Sequence, residues 1–183
     1  YPKMIHLVGS GAYRNNGTFV LGTAEGGLKI TMYFVNEMII DPAYLNEYYF
    51  KTMHHEFAHI LNQIKPYSTD FNAISGPDYV TDTWSDAWAN DAEAQKNGFI
   101  SAYASSEAGE DFVELLSIYV TNTEAYWNNV IKNAGAGADK INAKFDIVYN
   151  YMLNSWNIDL NELRDIIQRR QGEIDTLDLE TLN

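Results

Sequence analysis

Two imidazoles four residues apart, with a carboxylate directly after the first, form the part of this sequence best equipped for chemistry: His55-Glu56-Phe57-Ala58-His59. On a helix, positions i and i+4 share a face one turn apart, so both rings can grip one metal ion. Glu56 lies beside that face, poorly placed as a ligand but able to take a proton from metal-activated water as a general base. Two nitrogens leave the site incomplete. A longer, three-histidine version of the motif would put glycine three residues after His59 and histidine three further on. The chain has Asn62 and Lys65 there, which excludes that version. His54 points to another side of the helix from His55, and His6 falls in an expected strand, so a carboxylate is the better third ligand.

Among the downstream acids, Glu110 and Glu114 stand one helical turn apart in Glu110-Asp111-Phe112-Val113-Glu114-Leu115-Leu116-Ser117-Ile118-Tyr119. That run is apolar round most of its circumference and must be largely buried. A buried carboxylate is costly unless it is paired or metal-bound. The economical assignment makes Glu110 the third ligand, leaves a fourth position for water, and has Glu114 accept the N–H of a ligating histidine from behind. Asp111 and Glu107 stay open as alternative ligands, and are otherwise negative charges facing a helix N-terminus. A solvated helix edge is the competing reading of Glu110 and Glu114. Two imidazoles and one carboxylate with an open corner suit one Zn²⁺ per chain.

The elements that must hold these groups can be read locally. Asp41-Pro42 opens a helix that runs to about Ile64, because Asp caps free N–H groups and proline lacks only an N–H that needs no partner there. Lys65-Pro66 ends it. Met4 to Val8, Phe19 to Leu21 and Leu28 to Val35 are β-branched or aromatic runs separated by turns at Asn16-Gly17 and Gly26-Gly27, and predict three strands. Gly9-Ser10-Gly11 is taken as a turn and not a dinucleotide loop, since Arg14 stands where that motif needs its third glycine. Further helices are expected over Ser85 to Asn97 with Gly98 as stop, Glu107 to Val120, Glu124 to Asn133 capped by Thr123, Lys140 to Leu153 and Leu160 to Gln171. The last dozen residues read as a loosely held tail. The segment from Pro66 to Trp84 reads as a loop, either a lid or a packed surface loop, and Trp84 and Trp88 as core more than as a sugar platform.

Composition narrows the classes. With 183 residues, 46% of them hydrophobic, there is material for a core, and a net charge of -13 disfavours nucleic acid as a partner. The absence of cysteine removes disulfides, thiolate catalysis and cysteine zinc sites. No apolar run is long enough to cross a bilayer and Tyr1-Pro2-Lys3 opens no secretory segment, so the chain reads as soluble and already trimmed.

The run His55 to Gln63, followed by Tyr103-Ala104-Ser105-Ser106 and Glu110-Asp111-Phe112-Val113-Glu114, resembles the zinc-binding metallopeptidases called substrate-import-associated zinc metallohydrolase lipoproteins, which look like gluzincins. Leu7-Val8-Gly9-Ser10-Gly11-Ala12-Tyr13 and Gly22-Thr23-Ala24-Glu25-Gly26-Gly27 belong to the same resemblance, which spans about the first 120 residues. It implies an α+β zincin-like domain over residues 1–183, with a small N-terminal sheet, an active-site helix and a mostly helical C-terminal part. It implies a zinc peptidase acting on peptide or protein substrates, and a bacterial envelope lipoprotein beside outer-membrane import machinery, anchored upstream of Tyr1. Likeness to the lethal-factor type of gluzincin assigns Tyr103, seven residues before Glu110, as donor to the oxyanion. The zincin architecture would also run the strand Leu28 to Val35 along the cleft as an edge for an extended peptide. The rival readings are a noncatalytic module of an import system and a zinc hydrolase of non-peptide bonds.

Overall fold

The computed structural model describes residues 2–12 and 19–176. Strands β1 (Met4–Leu7), β2 (Gly22–Glu25) and β3 (Lys29–Met32) form one small sheet in the order β1-β3-β2. β1 runs parallel to β3, with Ile5 opposite Ile30, and β2 runs antiparallel, with Ala24 opposite Ile30. Gly26 and Gly27 make the tight turn between β2 and β3 at positive φ, 59° and 68°, where side chains other than glycine are strained.

That turn corrects the expectation for the third strand. β2 folds back along one side of β3 while β1 occupies the other, so β3 is central and the edges are β1 and β2. β3 also stops at Met32, because Phe34 turns to a left-handed conformation (φ 58°) and Val35–Glu37 coils into a 3-10 turn. Pairing counted back from the hairpin places the second strand at Gly22–Glu25 instead of Phe19 to Leu21.

A continuous helical run carries the histidine motif. Asp41 Oδ1 accepts from Tyr44 N at 2.9 Å and starts α1 (Pro42–Leu45), a π-helical turn over Asn46–Phe50 follows, and α2 (Lys51–Ile64) completes it. Lys65 is extended and ends the run before Pro66. The sheet lies on α2 through Ile30, Met32 and Ile60, all 1% exposed or less, with Met53 and Phe57 beside them.

The stretch after Pro66 is more structured than a loop. It contains α3 (Asp70–Ser75), whose Phe71 is fully buried, and Tyr67 stacks on Phe112 with ring centres 4.2 Å apart. The helix expected over Ser85 to Asn97 is two: α4 (Trp84–Ala87) and α5 (Asp91–Lys96). Asn90 restarts the chain between them by capping Glu93 N at 3.1 Å, and Trp88 bridges the gap with its indole N–H donated to Ser105 Oγ at 2.8 Å. Gly98 stops α5 at φ 94°.

At the centre is α6 (Ala108–Thr121), in which every residue from Asp111 to Thr121 is buried. It packs on α2, α8 (Ala138–Trp156) and α9 (Leu160–Gly172), while α7 (Glu124–Ala134) packs on α5 and α8. Thr123 caps α7 by accepting from Tyr126 N at 3.2 Å. Gly137 begins α8 where any Cβ would lie 2.0 Å from the Gln95 carbonyl oxygen. Tyr13, Arg14, the Asn16-Gly17 turn and most of the expected tail lie outside the described residues. Among the described residues no helix is long and apolar enough to cross a membrane.

Candidate metal centre

Helical spacing on α2 sets Lys51, His55 and His59 along one face, and α6 turns Glu110 and Glu114 toward them from its first two turns. His55 Nδ1 lies 3.0 Å from Glu114 Oε1 and donates to it. In a neutral ring that leaves Nε2 as a lone pair, yet Nε2 lies 2.9 Å from Glu110 Oε2. His59 Nε2 is 3.4 Å from the same oxygen. Glu110 Oε2 is buried and has no hydrogen-bond partner of good geometry among the described residues. Two ring nitrogens turned to one buried carboxylate oxygen call for positive charge between them, which a proton on His55 or a bound metal ion supplies. The three ligand atoms lie within 4.8 Å of one another, and His55, His59 and Glu110 are the one such group among the described residues. This donor set fits Zn²⁺.

Charge at the site follows from these contacts. Burial opposes protonation of His55, but the carboxylates of Glu110 and Glu114 outweigh it and raise its pKa to about 9. Burial likewise disfavours the Glu110 carboxylate, and the two facing imidazoles hold its pKa well below the usual range. Glu56 is 7% exposed, and burial pushes its pKa up, which makes it a stronger base than a solvated carboxylate.

Tyr103 sits in the 3-10 turn Tyr103–Ser105, its ring 6.0 Å from that of His55 and 4.9 Å from that of Trp84. Burial first, then the Glu110 carboxylate, push its pKa far up, so the phenol keeps its proton and stays a donor. Around this group opens a cleft of about 690 Å³, walled by Phe19, Leu21, Tyr48 and Trp84. Trp84 is therefore a half-buried wall of the cleft and not core, whereas Trp88 packs toward Phe99.

The alternative ligands do not join this group. Asp111 points away from the histidines to Lys144 Nζ at 2.5 Å and accepts from the Tyr79 hydroxyl at 3.0 Å. Glu107 is exposed before the first turn of α6 and its side chain makes no capping bond. His54 bonds to the Phe50 carbonyl at 2.7 Å, and His6 is exposed on β1.

Three site residues escaped the sequence reading. Lys51 Nζ lies 3.0 Å from Glu114 Oε2, and its signal was the spacing of four before His55. The Ser101 hydroxyl donates to the same oxygen at 2.7 Å, with no local pattern to mark it. Gly22 lies so close to Glu56 that a Cβ would come within 2.6 Å of Glu56 Cγ and 2.9 Å of its Oε1. It opens one of the glycine-containing runs in the resemblance, but nothing in the run tells which neighbour needs the space.

A crystal structure from Bacteroides caccae ATCC 43185, described as a "putative zinc-binding metallo-peptidase", is 44% identical to this chain with a TM-score of 0.81, covering 100% of this chain and 70% of that one. No curated protein matches. The family model with the same description matches residues 1–161, most of the chain, and the chain belongs to that zinc-binding metallo-peptidase family.

Proposed function

We propose that this chain is a gluzincin-type zinc peptidase with a zincin-like fold, one Zn²⁺ held by His55, His59 and Glu110, and Glu56 as general base. The observation that carries the reading is the buried Glu110 oxygen facing both imidazoles, without a hydrogen-bond partner of good geometry among the described residues, with the buried, pKa-raised carboxylate of Glu56 next to them on the same helix. Zinc bound there supplies Lewis acidity for a carbonyl group and brings the pKa of water toward neutrality. Glu56 takes the proton of the attacking water and hands it to the leaving amine. Tyr103, a phenol that does not ionise near neutrality, donates a hydrogen bond to the oxygen that becomes anionic in the transition state. Glu114 holds the His55 ring through Nδ1. An extended peptide would lie along the segment from Phe19 to Gly22, where β2 is an edge and the cleft opens.

The reading extends to place and partners through the family likeness alone: a bacterial surface lipoprotein beside outer-membrane import machinery. A free general base next to the ligands supports catalysis over a purely structural metal site, which has no use for one. The test is metal analysis of the purified protein together with digestion of a diverse peptide library, with and without chelator. Bound zinc with chelator-sensitive cleavage is the expected result. Bound zinc without cleavage of any peptide would favour the noncatalytic module, and no zinc uptake would end the metal reading.

A further inference from the structure

Glu114 has more to do than meet His55. Its carboxylate is 2% exposed and both oxygens are occupied, Oε1 by His55 Nδ1 at 3.0 Å and Oε2 by the Ser101 hydroxyl at 2.7 Å and the Lys51 ammonium at 3.0 Å. Lys51 precedes His55 by one turn of α2, so one face of one helix grips both ends of the same carboxylate. Without Lys51, Oε2 would be held by the neutral Ser101 hydroxyl alone, and the charged second donor from another direction fixes that end of the carboxylate more firmly. A cation suits that place because Glu114 is buried close to a second carboxylate, Glu110, and the pair needs positive charge on its far side as well as between the histidines. Among the described residues lining the cleft, Lys51 is the only lysine or arginine.

We propose that Lys51 is a positioning residue of the metal centre: through Glu114 it holds His55 with Nε2 turned to the ion, and so sets metal affinity. The proposal rests on the metal reading above. Lys51 acts without touching the ion. The Ser101 hydroxyl, which also accepts from Ala104 N at 3.1 Å, ties the turn bearing Tyr103 to the same anchor.

Zinc affinity of the whole chain is measured by competition with a chromophoric chelator, and the visible spectrum of the Co²⁺-loaded protein reports ligand geometry. Lys51→Met is expected to weaken zinc binding about 10- to 100-fold, the usual effect of losing a partner behind a ligand, and to alter the cobalt spectrum. Lys51→Arg keeps a charged donor and restores affinity to within about threefold of wild type. The double variant Lys51→Met/Glu114→Gln binds no more weakly than Glu114→Gln alone, because both changes act through one contact. Unchanged affinity in folded Lys51→Met, or losses that add in the double variant, overturn the proposal. If Lys51→Met loses its helical circular dichroism, Lys51→Gln is read in its place with the same outcomes. Wild-type protein that takes up no zinc rejects the metal reading, whereas zinc-binding wild type with an unaffected variant rejects only the part given to Lys51.

Discussion

At the scale of single residues, the parts proposed for Glu56 and Tyr103 can be separated from those of the proposed ligands by what their loss leaves intact. Glu56→Gln keeps shape and removes the base, so zinc should remain while turnover falls roughly 100- to 10,000-fold, the usual worth of general acid–base catalysis. Equal turnover in this variant, with contamination excluded, would remove Glu56 from the mechanism. Tyr103→Phe should lower kcat with little change in KM or metal content, because its hydrogen bond matters in the transition state. Glu110→Ala should lose zinc, and full metal occupancy in that variant would remove Glu110 from the ligand set.

His55 also gives a pH prediction with a definite sign. Without metal its pKa is raised to about 9 by Glu110 and Glu114, against about 6.5 when unfolded. The stabilisation from that protonation is fully present below the unfolded value and is lost as pH rises through about 9. Zinc competes for the same lone pair, so its binding moves the other way and strengthens with pH. Thermal melts at pH 6 and pH 9 should show the zinc-free protein losing stability while the increment from added zinc grows. A zinc increment that shrank over this interval would contradict the assignment of His55.

At the scale of elements, the site depends on how α6 and β2 meet α2. Asp111 and Lys144 are each 0% exposed in their side chains and tie the first turns of α6 to α8. Burial pushes the Asp111 pKa up to about 6, opposed by Lys144, so the pair is held at a cost. Removing one partner leaves an uncompensated buried charge, and Lys144→Met should cost about 3–5 kcal/mol in urea unfolding. Replacing both, as Asp111→Leu/Lys144→Met, should recover much of that loss. A double variant as unstable as the single one would mean that packing and not charge is the source. On the other side, Gly22→Ala drives a methyl group into Glu56 and Thr52, with contacts of 2.6 Å and 2.8 Å. Turnover should drop while zinc content holds, since Glu56 must move and the ligands need not. Metal loss in Gly22→Ala would show that β2 supports the whole of α2 instead.

At the scale of the whole molecule, the size of the core means that a metal bound at this centre would add to the fold and not staple it. Phe71, Phe99, Phe112, Leu115 and Leu116 are fully buried away from the ligands, each contributing on the order of 1.5–3 kcal/mol by removal from water. Chelation should therefore leave helical circular dichroism unchanged. Free zinc at 100 times its Kd should add about 2.7 kcal/mol to stability by mass action. Collapse of the helical signal on chelation would make the centre structural and favour the noncatalytic reading.

What was legible in the sequence is what short-range physics decides. The i, i+4 spacing places His55 and His59 on one face wherever the helix sits, and the caps at Asp41 and Thr123 and the stop at Gly98 act within one turn. The Asn90 cap was equally local, but a helical periodicity running through it hid the break between α4 and α5. The acids of α6 were recognisable as buried from their apolar neighbours, while Glu107, Glu110, Asp111 and Glu114 all fall within two turns, and periodicity alone cannot rank them. Packing made the choice: Lys144, from a helix thirty-three residues later, takes Asp111 and leaves Glu110 to the imidazoles. The central place of β3, the space that Glu56 takes from Gly22 and the reach of Lys51 to Glu114 are likewise contacts between segments far apart in the chain. Such contacts depend on how helices and strands dock, and docking is settled by the shape of the whole core and not by any window of sequence.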